Sequence, residues 1–94
     1  MNNTFNLEFD KTAIILAGRD YGVRMFKEQL EGRIDYKNEI TLIFPDHIKS
    51  LASSFIQGFF LDFKKHIGLE GIERQVVIED NGRNFKKRVL DNLV

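Results

Sequence analysis

Ninety-four residues, 43% of them hydrophobic and nine of them Phe, are enough for one modest core and read as a single domain, 1–94. Fourteen basic and fourteen acidic residues cancel, which argues against a nucleic-acid module held by a dominant basic field and leaves little net charge to oppose association. The absence of cysteine excludes disulfides, thiolate catalysis and Cys-based zinc sites, and two histidines, His47 and His66, are too few for a His-rich metal centre, so neither a metal nor another cofactor is expected.

The chain starts MNNTFNLEFD, without the basic and apolar regions of a secretory leader, and no apolar run is long enough to span a bilayer. The expectation is a soluble, cytoplasmic protein. Phe5, Leu7 and Phe9 alternate with polar residues, as in a half-buried strand. After a turn at Asp10-Lys11, the apolar run TAIILAG (12–18) suits a second strand covered on both faces, and the two together predict a hairpin.

The segment GRDYGVRMFKEQLEGRI (18–34) predicts a helix, with Val23, Phe26, Leu30 and Ile34 on its apolar face and Asp20 as a candidate cap. NEITLIF (38–44) alternates as a strand, and Pro45, which has no N–H to donate, stops it. A loop, PDHIKSL (45–51), leads into the run SLASSFIQGFF (50–60). Phe55, Ile56, Phe59, Phe60, Phe63 and Ile67 form one broad helical stripe that Gly68 ends. RQVVIED (74–80) is a strand, and NFKKRVLDNLV (84–94) a closing helix with Phe85, Val89 and Leu93 inward. The order β-β-α-β-α-β-α predicts an α/β fold with a mixed, mainly parallel four-stranded sheet, the N-terminal hairpin supplying its antiparallel edge.

The helix that opens at the two serines has a local signature. Ser54 and Gln57 stand in the Ser-x-x-Gln spacing of a capping box, with Ser53 as the alternative cap. Free N–H groups at a helix start also favour an anion, so a phosphoserine is compatible with this position. Arg19, at a strand-to-helix junction, is a candidate anion-binding residue, against the plainer reading of a solvated side chain or one paired with Asp20 or Asp46. The flanking Gly18 and Gly22 do not make a Walker A loop, because no Lys-Ser/Thr follows. Asp46 and His47 lie near the serines in sequence, but neighbours in one loop rarely form a hydrolytic triad. Arg83, Lys86, Lys87 and Arg88 gather in the tail, as a solvated helix face or as a contact patch for an acidic partner.

Gly18-Arg19-Asp20-Tyr21-Gly22 at the first helix and Ser53-Ser54-Phe55 at the second, with the closing VVIEDNGRNFKKRV segment, resemble the STAS-like family of unknown function, which is related to the STAS domains of anti-sigma-factor antagonists. The resemblance covers nearly the whole chain. It implies a STAS-like fold and a non-enzymatic regulatory domain that binds a protein partner through the 45–54 loop and the start of the second helix. In the antagonists that partner is a GHKL-type ATPase, which phosphorylates a serine at this helix start. Ser53 and Ser54 are the corresponding candidate partner-binding residues or phosphoacceptors. Where the antagonists have Asp-Ser-Ser-Gly, this chain has Ala52 and Phe55 at the outer positions; where the STAS-like family has Ala-Asp-Glu after the Phe, it has Ile56-Gln57-Gly58. The expectation is therefore a protein partner, with no nucleic acid and no membrane, and with a homodimer left open. The alternative is a small ligand- or nucleotide-binding sensor that uses Arg19 and the N-terminus of the second helix.

Overall fold

The computed structural model describes residues 3–93. Three strands, β1 (Thr4–Asn6), β3 (Ile40–Ile43) and β5 (Val76–Glu79), form one sheet in the order β1-β3-β5, with both ladders parallel. Two shorter strands, β2 (Ile15–Leu16) and β4 (Ser50–Leu51), pair in parallel as a separate ladder, with Ile15 opposite Ser50 and Leu16 opposite Leu51. Four helices complete the described residues: α1 (Arg19–Gln29), α2 (Ser53–Phe59), α3 (Leu61–Gln75) and α4 (Phe85–Asn92). The fold is α/β with parallel strand pairing. The main sheet has three strands instead of four, and the expected N-terminal hairpin is not formed.

The departure at the N-terminus has a local cause. Thr4 lies opposite Thr41, and Leu7 N–H continues the ladder to the Ile43 carbonyl at 2.9 Å, so β1 is committed to β3. Just beyond, the Gln29 side chain binds the Glu8 backbone twice, accepting from its N–H and donating to its carbonyl, both at 2.8 Å. That amide occupies the hydrogen-bonding positions a hairpin partner would need. The Asp10 turn does form, with Thr12 N–H donating to the Asp10 carboxylate at 2.8 Å. It redirects the chain toward β4 and not back along β1. The run 12–18 is accordingly not a strand covered on both faces: Leu16 is buried, whereas Ile14 and Ile15 are 59% and 60% exposed.

In β3 the expected alternation holds. Ile40, Leu42 and Phe44 are buried, and Thr41 and Ile43 are half-buried. The apolar stripe after the serines also holds, with Phe55, Ile56, Phe59, Phe60 and Phe63 fully buried. Their rings form a continuous run: Phe55 stacks on Phe59 at 5.2 Å, Phe59 meets Phe60 at 5.1 Å, and Phe60 meets Phe63 at 5.2 Å. The stripe is not one helix, however. Phe60 both ends α2 and starts α3, with φ −96° and ψ 9°. Gly68 interrupts α3 with φ 68° and ψ 177°, a conformation that glycine adopts without the cost a Cβ brings, and the chain then resumes helical turns to Gln75.

Helix α2 touches α1, α3 and α4. Its contact with α1 is backbone on backbone. A Cβ at Gly58 would stand 2.1 Å from the Arg19 carbonyl oxygen, and one at Gly22 would stand 2.5 Å from the Phe55 carbonyl oxygen. Both distances are below anything a side chain tolerates, so the two glycines set how closely these helices cross. Phe85, Val89 and Leu93 face inward from the closing helix as expected, while Val94 lies outside the described residues.

Candidate functional site

The β2–β4 ladder places the starts of α1 and α2 side by side. Ala52 N–H donates to the Leu16 carbonyl at 2.8 Å, and Gly18 N–H donates to the Ser54 hydroxyl at 2.9 Å. The Ser54 oxygen therefore joins the two helix starts and does not close a capping box. The cap position of α2 is Ala52, in extended conformation (φ −74°, ψ 152°), and it makes no side-chain capping bond. Ser54 falls inside the first turn, two positions past the cap. The cap of α1 is likewise not Asp20 but Gly18, whose φ of 101° admits the chain into the helix with no side-chain bond. Ser53 is exposed and Ser54 half-buried.

The 45–52 segment in front of these serines is held on several sides. Ile48 is fully buried beneath it. The Ile14 carbonyl accepts from Lys49 N–H at 2.7 Å and from Ser50 N–H at 3.4 Å. Arg83 Nη1 donates to the Pro45 carbonyl at 3.1 Å and the Asp46 carbonyl at 3.3 Å, while Arg83 Nε donates to the Asp80 carbonyl. Arg88 Nε donates to the Leu51 carbonyl. Asp80, 8% exposed, orders the other end of this clamp: its carboxylate accepts from Phe85 N–H at 2.7 Å, opening α4, and from Gly82 N–H at 3.1 Å.

These bonds bear on two readings of the sequence. The tail cations each bond within the chain, Arg83 and Arg88 as above, Lys86 to the Glu73 carbonyl and Lys87 to Asp91 at 3.0 Å, while Lys87 and Arg88 remain exposed. His47 Nε2–H donates to the Asp10 carbonyl at 3.0 Å, Asp46 accepts from Asn81, and Ser54 accepts from Gly18. No Ser-His-Asp relay links them among the described residues. Asp10 is held below the usual carboxylate range, mainly by the Thr12 hydroxyl, then by Thr12 N–H, with the charge of His47 a smaller contribution.

Arg19 is the exposed first residue of α1. It makes no ion pair with Asp20 or Asp46 among the described residues. It lines a cleft of about 210 Å³ with Gln57, Leu61, Lys64 and Asn92, in which no carboxylate side chain participates. Ser53 and Ser54 do not line that cleft, so Arg19 and the serines form two neighbouring sites and not one. Gln57, expected to reach back as the second half of the capping box, contributes to the cleft instead.

Sequence reasoning missed β4 and, with it, the exposed pair Ile14-Ile15. A two-residue ladder has no periodicity to detect, and TAIILAG is as apolar as a buried strand. It also missed the role of Asp80, although Asp-Asn-Gly before an apolar-periodic run is a recognisable entry into a helix. Among the described residues no helix is long and apolar enough to cross a membrane. Comparison with protein-family models, with curated proteins and with solved structures finds no match to this chain.

Proposed function

We propose that this chain is a non-enzymatic, cytoplasmic regulatory domain of the STAS-like kind, docking a protein partner on the corner built from β2, the 45–52 segment and Ser53. The observation that carries this reading is the pair Ile14 and Ile15, adjacent in sequence and each about three-fifths exposed (59% and 60%). Exposed isoleucines scattered singly need no explanation, but Ile14 just before β2 and Ile15 within it put two exposed apolar side chains on consecutive residues, and exposed apolar surface is a feature of interaction sites. The patch is fixed to the expected docking segment by the bonds from Lys49 and Ser50 to the Ile14 carbonyl. A preformed backbone of this kind binds with a smaller ordering cost.

A GHKL-type ATPase or an anti-sigma-like protein is the partner class that the resemblance favours. Of the two serines, Ser53 is the better phosphoacceptor, because it is exposed and the Ser54 oxygen is already engaged by Gly18. A phosphate on Ser53 would add about −1.5 to −2 charge to the proposed docking surface and oppose docking. The test is a pull-down with Ile15→Asp against wild type: the variant should stay folded and lose the partner, and retention of the partner would move the interface elsewhere.

One observation favours a second reading, the small-ligand sensor. Arg19 and Lys64 line one cleft free of carboxylate side chains, with Lys64 Nζ bonded to the Leu93 carbonyl at 2.8 Å, and two cations there suit an anionic ligand. Calorimetry with common nucleotides, comparing wild type with Arg19→Ala, distinguishes this reading from protein docking.

A further inference from the structure

The strand edges are treated unequally. Beyond β1, the Gln29 amide holds the backbone of Glu8. On β4, Ser50 N–H is turned to the Ile14 carbonyl, and the Leu51 carbonyl on the opposite edge accepts from Arg88 Nε. Both side chains fill hydrogen-bonding positions that a further strand would need. The outer edge of β2 is different. Toward β4, the carbonyls of Ile14 and Leu16 accept from Lys49 N–H at 2.7 Å and from Ala52 N–H at 2.8 Å. Backbone groups alternate in direction along a strand, so the N–H and C=O of Ile15, between them, are turned away from β4. β2 is the end strand of its ladder, and neither Ile15 group has a partner among the described residues. The Ile15 side chain is 60% exposed, and Ile14 and Ala17 are exposed beside it. Residues 12–18 carry no charge and no proline, the residue types that commonly guard an open edge.

A residue that presents both a free donor and a free acceptor on one edge is what an antiparallel hydrogen-bonded pair requires, because the two opposed residues exchange both bonds. Across a two-fold axis Ile15 can be opposed by itself. The neighbouring side chains fit that arrangement. By alternation Ala13 and Ala17 share the Ile15 face of the strand, so small residues flank the opposed isoleucines. On the other face Ile14 comes opposite Leu16 of the second copy. Reversing the segment brings Asp10-Lys11 of one copy toward Arg19-Asp20 of the other, two acids with two cations, and the chain has no net charge to oppose association.

We propose that β2 pairs antiparallel with β2 of a second copy of this chain, Ile15 opposite Ile15, joining the two short ladders into one sheet in the order β4-β2-β2-β4. A contact built on so short a strand is small and belongs with the weak, reversible class. It covers the same isoleucines as the protein partner proposed above and so competes with it. It stands on the backbone geometry of β2 and not on that reading.

The experiment is sedimentation velocity on the purified chain alone, over a concentration series, with the variants Ile15→Asp, Ile15→Lys and Ile15→Pro checked for a wild-type urea midpoint at low concentration. The expected result is a wild-type mass that rises reversibly from one chain toward two. Ile15→Asp and Ile15→Lys should each associate several-fold more weakly, because the two-fold axis sets like charges directly opposite one another. An equal mixture of those two should associate again, since each Asp then faces a Lys. Ile15→Pro removes the free N–H without losing a bond to β4, and should also lose the dimer. A wild type that stays monomeric up to about 1 mM chain overturns the proposal. So does a dimer that the charged variants or Ile15→Pro retain. A mixture of folded Asp and Lys variants that fails to recover association overturns the Ile15-on-Ile15 register. Each of these results is obtained without a protein partner, so a failure here leaves the docking reading to its own pull-down.

Discussion

The α1–α2 crossing and the β2–β4 corner lie next to each other and share the Ser54–Gly18 bond, yet they treat apolar surface in opposite ways. At the crossing, glycines let backbone touch backbone and the phenylalanines beneath are sealed from water. At the corner, two isoleucines of equally apolar character stand in solvent, Ile15 in a ladder only two residues long and Ile14 just before it. Burying an isoleucine stabilises a fold by roughly 1.5–3 kcal/mol, so leaving two exposed forgoes a substantial gain. The contrast separates surface that serves the fold from surface available to something else.

Substitutions at the two regions should differ in kind. The largest effect belongs to Phe59→Ala, in the middle of the ring run, which should cost about 3–5 kcal/mol in urea melts. A melt undiminished by this change would break the comparison by showing that the stripe is not the core. Gly58→Ala comes next, at about 1–3 kcal/mol or more, because its Cβ would collide with the Arg19 carbonyl, which is backbone and cannot swing aside. An unaltered melt would mean that the helices separate freely. Smaller again is Ser54→Ala, at about 0.5–1.5 kcal/mol for the lost bond from Gly18 N–H, with Ser53→Ala near zero. Equal losses at the two serines would favour capping over the bridge between helix starts.

The serine pair shows what could and could not be read in advance. That Ser53-Ser54 opens a helix and that the following phenylalanines are core was legible, because spacing and side-chain type report on local structure. The capping box was not borne out, because the competing donor, Gly18 N–H, is 36 residues away and no local pattern can reveal it. The same holds for the strand pairing. Asp10-Lys11 reads correctly as a turn, but whether it folds β2 back on β1 depends on Gln29 and Lys49, which become neighbours only in the tertiary structure. Arg19 was legible as a cation at a helix start, whereas its association with Lys64 and Asn92 in one cleft was not. Gly22 was noticed in a failed phosphate-loop pattern and in the family resemblance; its packing role depends on Gly58, which no spacing within α1 signals.

The comparison is sharpest at the isoleucines themselves. Charged substitution of an exposed, non-contributing position changes stability by no more than about 0.5 kcal/mol, whereas the same substitution in a docking patch abolishes association. The most direct test is partner retention by the double variant I14D/I15D, in a pull-down run on protein whose urea midpoint has been checked against wild type. The account predicts a wild-type midpoint and no retained partner. A double variant that melts as wild type and still retains the partner would contradict it.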